Sequence, residues 1–378
     1  MTDRDYAGST FVTVNTGSSS VRMAAFSCEE GRSLSLRAVE HHVMADCDET
    51  EVLRQFLSAN VPGGVVAVAH RIVHGGRQLV KSCLLNEAAE REIARLAQLA
   101  PLHNLMALRW ITAARSLLGG RIPQVGVFDT AFYTGLPEVA RTYAIPRALA
   151  DRNEIRRYGF HGLAHQAMWR RWQTLHPDHA HESRIITLQL GSGCSVTAIE
   201  GGLPKDTSMG FSPLEGLVMA TRSGDVDPAM VSFLQRVEHW SPEDVDRVLS
   251  SESGLLGLSG ISGDMRELLC TDDPHARLAV DLYAYRARKY IGAYLAVLGG
   301  ADAIVFGGGV GEHAPAVRAA ILKNMEWAGV RLDAAANEIV VAKEGRISHT
   351  DSRIEVWVLP VDEQKILALE ALAVISRQ

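Results

Sequence analysis

Residues 156–161 read RRYGFH and residues 221–225 read TRSGD. Each string sets arginine beside glycine in what reads as a turn. Arginine presents a rigid, always-charged fork of donors that fits phosphate or carboxylate. Glycine lets backbone approach a ligand closely. Such strings suit a small, highly charged substrate. AHRIVHGG (69–76) places Arg71 among apolar residues on a strand-like stretch. A cation there wants an anionic partner, either a substrate or a structural carboxylate. FDTAF (128–132) puts Asp129 at a strand end, where catalytic carboxylates of alternating α/β folds often sit; a turn or helix-capping aspartate is the plainer alternative. His161 and His165 have the i, i+4 spacing of a metal pair, but no HExxH motif or nearby cysteine accompanies them. A histidine that hydrogen-bonds a developing phosphoryl charge fits better than a zinc ligand. Glu363, after the strand-like run 355–360, is a candidate magnesium ligand or a surface carboxylate.

Three glycine-rich turns follow apolar runs: NTGSSS (15–20), LGSG (190–193) and FGGGVG (306–311). Backbone amides and hydroxyls in such bends can cradle phosphate or position water around a metal. Neither GxxxxGK[ST] nor GxGxxG followed by a helix and an acidic residue is present, which excludes P-loop and dinucleotide-fold readings.

These residues need elements to hold them. FVTVNTGSSSVRMAAF (11–26) and IITLQLGSGCSVTAI (185–199) both read as strand, Gly/Ser turn, strand, which points to a duplicated fold. Asn86 is expected to cap a helix running through Leu99, with Pro101 stopping it, and a second helix is expected after Asn104, ending at Gly119-Gly120. VGVFD (125–129) reads as a buried strand ending in a carboxylate. A helix of about twenty residues should end at Gly299, followed by the strand AIVF (303–306), the strand 355–360 and a C-terminal helix.

At 378 residues the chain is long for one core, so two domains are expected. A net charge of −6 argues against a nucleic-acid partner, so an anion site must be built locally. Five scattered cysteines with no CxxC pair fit a reducing cytoplasm. The apolar stretch 291–311 is broken by Asp302 and Gly299-Gly300, so it reads as helix end, turn and strand rather than a membrane span.

Together, NTGSSSVR, AHRIVHGG, LAPLHN, FDTAF, RRYGFHG, DTSMGFSPLEGLVMATRSGDVDP, SGLLGLSGISGDMR and FGGGVGEH resemble, in order, the signatures of the acetate kinase family, within the acetate and sugar kinase/actin-like superfamily. The resemblance implies an α/β fold of duplicated ribonuclease H-like (actin-like ATPase) domains of βββαβαβα type, with the active site in an interdomain cleft. The lobes would be 1–133 with 366–378, and 134–365. It implies reversible transfer of the γ-phosphoryl of ATP to a short carboxylate, acetate or propionate, giving an acyl phosphate such as acetyl phosphate and ADP, with Mg²⁺ (or Mn²⁺) and a homodimer. By the same resemblance Asn15, the serines after it and Glu363 would organise the metal and phosphate. Arg71 and Arg222 would hold carboxylate and phosphoryl, His161 and Arg222 would stabilise the transition state, and Asp129 would orient the acceptor or the arginines. Val73, Leu102, Phe160 and Pro213 would line a methyl pocket. Arg22, Gln189, Leu190, Gly191, Ser192, Gly193, Asp264, Met265, Arg266, Gly309, Val310, Gly311 and His313 would form the nucleotide side.

Four positions depart from the family pattern, all on the nucleotide side. Gln189 and Ser192 stand where the family has histidine and asparagine, Arg22 where it has lysine, and His313 where it has asparagine. The resemblance therefore leaves the phosphate donor open between ATP and another such as pyrophosphate. A nucleotide-binding sensor without turnover is the reading from a different class.

Overall fold

The structure, a computed structural model, describes residues 6–17, 20–30, 33–43 and 48–377. The chain divides into two compact units. The first comprises Met1–Thr134, Phe160–Ala167 and Asp362–Gln378; the second comprises Gly135–Gly159 and Met168–Val361. Phe160–Ala167 and Asp362–Lys365 thus join the first unit rather than the second lobe expected from the sequence.

In the first unit, β1 (Thr10–Thr16), β2 (Ser20–Cys28), β3 (Leu34–Val43), β4 (Val65–Ile72), β5 (Cys83–Leu84) and β6 (Gln124–Phe128) form one sheet in the order β3-β2-β1-β4-β6-β5. β1 to β3 are an antiparallel meander, β4 and β6 run parallel to β1, and β5 is an antiparallel edge. In the second unit, β7 (Arg184–Leu190), β8 (Cys194–Glu200), β9 (Leu203–Thr207), β10 (Ala303–Gly307), β11 (Gly345–Arg346) and β12 (Glu355–Val358) form a sheet in the order β11-β12-β10-β7-β8-β9. Strand for strand, this is the same meander, the same two parallel neighbours and the same antiparallel edge. The two Gly/Ser turns occupy equivalent places, between β1 and β2 and between β7 and β8. The fold is duplicated.

Parallel strands with both faces covered must be apolar almost throughout. β10, AIVFG, and β6, QVGVF, are buried at every position. Val12, Val14, Met23, Leu53, Phe56, Val68 and Trp110 pack together on one side of the first sheet. Ile72, Ile93, Ala107, Ile111 and Phe128 form a second cluster. The C-terminal helix Glu363–Ile375 buries Ile366, Leu367, Ala368, Ala371, Leu372 and Ile375 in the same unit. Its Gln364 accepts from the Thr13 hydroxyl (2.5 Å) and donates to the Arg22 carbonyl (2.8 Å), which fixes the helix on β1 and β2.

Several local expectations shift. Asn86 does cap a helix, its Oδ1 accepting from Ala89 N, but the α-helix ends at Arg95 and a 3-10 turn follows to Gln98. Pro101 starts the next helix, Pro101–Leu118, instead of stopping the previous one, because a first-turn proline lacks only an N–H that would have no partner. Asn104 is consequently inside that helix, buried, with its side chain bonded to His74 N and O and to Ile93 O. The helix ending at Gly299 is 25 residues long, Pro274–Leu298. The strand expected at 355–360 stops at Val358. FGGGVG is not a loop, since Gly308–His313 is a short helix. Among the described residues, no helix is long and apolar enough to cross a membrane.

His70, His74 and His165 are all buried in the first unit. Burial pushes their pKa values down to about 4, about 4 and about 3. Each folded value lies below the unfolded one of about 6.5, so the unfolded chain binds more protons in between. Their contribution to stability is complete above pH 6.5 and is lost as pH falls toward 4. The urea midpoint should drop over that window, and His70→Gln should flatten the drop. A midpoint constant from pH 7 to pH 4.5 would show that these histidines protonate freely in the folded state.

Candidate active site

In the first unit, β1, β4 and β6 are parallel, and their C-terminal ends bring three polar residues together. The register pairs Arg71 with Val127 and Ile72 with Phe128, so Asp129 emerges just beyond the end of β6, near Arg71. Arg71 Nε and Nη2 donate to Asp129 Oδ2 at 3.1 and 2.6 Å. Its Nη1 reaches Asn15 Oδ1 at 3.3 Å and the Thr16 carbonyl at 3.4 Å. Asn15 Nδ2 in turn donates to Glu363 Oε2 at 2.7 Å. Glu363 is the first residue of the C-terminal helix, behind its N-cap Asp362.

Asp129 is fully buried and Arg71 nearly so. Burial raises the Asp129 pKa, against the opposing charge of Arg71 and the facing backbone N–H of Leu163. Burial alone would disfavour the Arg71 charge, but Asp129 and Glu363 outweigh it and keep the guanidinium firmly protonated. Two carboxyl groups, Asp129 and Glu363, thus share this hydrogen-bonded chain with one guanidinium. Asp129 Oδ1 is buried without a hydrogen-bond partner of normal geometry among the described residues. Asn15 and Glu363 offer two hard oxygen donors, which suits a magnesium ion that keeps its other positions for water and phosphate. Ser18 and Ser19 lie outside the described residues.

His161 sits at φ 57°, a left-handed conformation unusual for a residue with a side chain. The next residue shows why the chain bends here. A Cβ on Gly162 would lie 1.9 Å from the Asp129 carbonyl oxygen and 2.8 Å from Phe132 Cβ. Only glycine lets the helix Gly162–Leu175 start this close to Asp129. Gly162→Ala should therefore lower both Tm and kcat, at a stability cost of about 1–3 kcal/mol. Wild-type values for both would mean that the 159–163 segment can move off Asp129 freely.

The Phe160 ring is buried edge-to-face against His74, with centroids 5.5 Å apart, and the Phe160 carbonyl accepts from the Tyr133 hydroxyl at 2.7 Å. Val73 is buried in the same unit. Leu102 is the second residue of the helix Pro101–Leu118. Pro213, the fourth expected pocket residue, belongs to the second unit. His165 is fully buried, with its ring edge-on to Tyr133, and acts as a core histidine. Among the described residues, no group of three or more His, Cys, Asp or Glu side chains is placed to hold a metal.

In the second unit, charged side chains staple the long loop between β9 and the helix Pro228–Val237. Arg157 Nη2 donates to Glu215 Oε1 at 2.6 Å, and its Nη1 donates to the Thr207 carbonyl at 3.0 Å. Glu215 also accepts from the Tyr143 hydroxyl, which itself accepts from Phe211 N. Asp225 accepts from Gly216 N and from the Tyr290 hydroxyl, both at 2.8 Å. Gly224 has φ 67°, and a Cβ there would lie 2.3 Å from the Leu217 carbonyl oxygen.

The arginines of the two strings named first therefore differ in kind. Arg157 is a structural ion pair, and Arg156 lies over the Tyr158 ring at 5.9 Å. Arg222 donates to the Pro213 carbonyl at 3.0 Å and contacts Met219 Sδ at 3.7 Å. No carboxylate pairs with it among the described residues, and burial pushes its pKa down. A half-buried guanidinium without a counter-ion is a ready anion site. Glu215, Asp225, Tyr143 and Tyr290, which hold this loop, were not singled out from the sequence. Glu215 and Asp225 fall inside the long string 206–228, while the two tyrosines carry no local signal.

A cavity of about 730 Å³ opens in the second unit. Gly191, Ser192, Asp264, Met265, Arg266, Gly309, Val310 and His313 line it, with Ala220, Leu255, Leu269 and Pro315. The remaining nucleotide-side residues lie elsewhere. Leu190 is fully buried on β7 and serves the core, and Gly311 is buried within its helix. Gly193 closes the tight turn, its carbonyl accepting from Gly191 N at 3.1 Å. Gln189 buries its Oε1 without a hydrogen-bond partner among the described residues. Arg22 is exposed on β2 of the first unit. Asp264 caps the helix Met265–Leu269 and pairs with Arg266 at 2.5 Å at the cavity rim.

The sequence profile of the acetokinase family matches residues 49–369. The chain is 47% identical to the acetate kinase of Chloroherpeton thalassium over 317 residues, 82% of this chain and 76% of that one. It is 39% identical to the acetate kinase of Symbiobacterium thermophilum over 97% of this chain and 99% of the relative. Among solved structures, Porphyromonas gingivalis acetate kinase superposes with a TM-score of 0.85 at 34% identity, covering 97% of this chain and 100% of that one. A propionate kinase from Francisella tularensis superposes with a TM-score of 0.86 at 31% identity over the same shares. A match over most of the chain, and a fold shared from end to end, place this protein in the acetokinase family, kinases that act on a carboxyl acceptor.

Proposed function

We propose that this protein transfers the γ-phosphoryl group of ATP reversibly to acetate, giving acetyl phosphate and ADP. The observation that carries the reading is Arg222, a half-buried guanidinium without a carboxylate partner among the described residues, in a chain related to acetate kinases. Acetate is already a nucleophile, so the reaction needs no strong base. Its obstacle is bringing two anions together in line.

Arg222 and Arg71 lower that repulsion by binding the carboxylate and the transferring phosphoryl. Asp129 holds the Arg71 fork in one orientation. His161, set out in its left-handed turn, donates a hydrogen bond to the phosphoryl as charge develops. Val73 and Phe160, both buried in the first unit, would shield the acetate methyl, a role the family resemblance also gives to Leu102 and Pro213. Asn15 and Glu363 are the residues that would hold Mg²⁺ or Mn²⁺, which when bound neutralises phosphate oxygens. Gly191 and Ser192 face the nucleotide phosphates, and Asp264, Arg266, Gly309 and Val310 face the adenosine. The reading thus gives the acyl and metal side mainly to the first unit and the nucleotide side to the second.

Propionate is a second acceptor in this reading. One methylene is worth about 1–3 kcal/mol of discrimination, and a solved relative is a propionate kinase. A homodimer fits the helix Pro228–Val237, which buries no residue and exposes Met230, Phe233 and Val237 along one stripe. A cytoplasmic setting accords with Cys28, Cys83, Cys194 and Cys270 being free thiols.

The test is acyl hydroxamate formation with Mg²⁺ and acetate or propionate, run in parallel with ATP and with pyrophosphate. Activity with ATP supports the reading. Activity with pyrophosphate alone would overturn the nucleotide assignments and keep the acyl side. ADP binding without any transfer would leave a sensor.

A further inference from the structure

The cavity wall formed by Gly309, Val310 and His313 belongs to the helix Gly308–His313, six residues long. So short a helix cannot hold its own position, because nucleation costs more than a single turn returns. Two charged side chains hold it. At its start, Glu312 Oε1 accepts from Gly308 N at 2.9 Å and from Val361 N at 3.1 Å. At its end stands Arg318, which is fully buried. Arg318 Nη1 donates to the carbonyls of Gly311 at 2.8 Å and Glu312 at 3.3 Å. Its Nη2 donates to the carbonyls of Asn337 and Val340, both at 2.7 Å, and its Nε donates to Asn337 Oδ1 at 2.9 Å.

No carboxylate pairs with Arg318 among the described residues. Its hydrogen bonds go to carbonyl groups at the ends of two short helices, Gly308–His313 and Ala334–Ile339, and the Glu338 carboxylate of the second helix acts on its charge from beyond pairing distance. Those are the carbonyls a helix leaves without intrahelical partners, and cations are favoured beside them. A buried apolar side chain of similar volume would fill this space without the desolvation cost of a charge. The guanidinium fork does something an apolar residue cannot do. It binds the end of the cavity wall to a second helix that does not line the cavity.

We infer that Arg318 is a positioning residue of the nucleotide site, fixing the Gly308–His313 wall so that nucleotide affinity depends on a side chain that touches no nucleotide. The inference rests on the nucleotide assignment made above.

The experiment compares wild type with Arg318→Lys, which keeps a charge but cannot span both helix ends, and with Asn337→Ala, which removes only the Nε acceptor and the bond from Asn337 Nδ2 to the Pro315 carbonyl. KM for ATP, KM for acetate, kcat and the calorimetric Kd for ADP are measured on protein whose folding is checked by circular dichroism. For Arg318→Lys, KM for ATP and Kd for ADP should rise roughly ten-fold, as expected for loss of buried charge-assisted hydrogen bonds. KM for acetate should stay within about two-fold of wild type. Asn337→Ala should move in the same direction by less, and it decides the matter if Arg318→Lys does not fold. Wild-type nucleotide affinity in the folded variants, or equal rises in both KM values, overturns the inference. Wild-type protein that binds no ADP overturns the nucleotide reading itself.

Discussion

Replacing Arg222 by alanine is expected to lower kcat by roughly two to three orders of magnitude while leaving Tm unchanged or slightly higher. The two effects separate because of what Arg222 touches. It has no carboxylate partner among the described residues, and its contacts are one carbonyl and one thioether. Burial already disfavours its charge. Removing it therefore strands no buried anion and relieves a desolvated cation, while in the proposed reaction the substrate anions lose the group that offsets their repulsion. Arg222→Lys should recover part of the rate, since a point charge survives and the planar fork does not. The check is kcat by hydroxamate formation beside Tm by thermal shift. A large fall in Tm for Arg222→Ala would mean that the side chain holds the loop rather than the substrate.

Arg71→Ala should behave differently, losing activity and stability together. Arg71 gives two hydrogen bonds to Asp129, which has no exposure to water. Removing the guanidinium leaves a buried carboxylate unpaired, a loss of about 3–5 kcal/mol. The sign with pH follows from the direction of the shift. Burial raises the Asp129 pKa above its unfolded value, and the loss of Arg71 removes an opposing influence. Such a group favours folding below the unfolded pKa, and that contribution is lost as pH rises through the folded value. The Tm gap between Arg71→Ala and wild type should therefore narrow from pH 7 toward pH 5. The double variant R71A/D129N should regain most of the Tm and none of the activity, because an amide needs no counter-ion and still cannot hold a carboxylate substrate. A gap that widens on acidification would show that Asp129 stays ionised without Arg71.

Much of this protein was legible in one dimension. The paired strand-turn-strand segments announced the duplication, and the two sheets repeat it strand for strand. Arg71, Asp129 and Glu363 stand out in three separate strings and Asn15 enters with Glu363 through the family resemblance, and the first unit brings all four into one hydrogen-bonded chain. Local boundaries were less legible. Pro101 reads as the stop of one helix, yet it opens the next, Pro101–Leu118. Asn104, which looked like a helix start, is a buried clamp on His74.

What the sequence determined by itself is residue type and order: apolar runs that must be strands, glycines where backbone must come close, and arginines set for anions. Period and composition are local properties, so they survive in one dimension. What only the tertiary structure decided is which charges are satisfied. Arg157 and Arg222 look alike in their strings, yet one is tied to Glu215 and the other has no carboxylate partner among the described residues. Glu363 meets Asn15 across 348 residues of chain, and Arg318 meets carbonyls that no motif marks. The partner of a charge is set by three-dimensional proximity, and neither spacing nor composition encodes it.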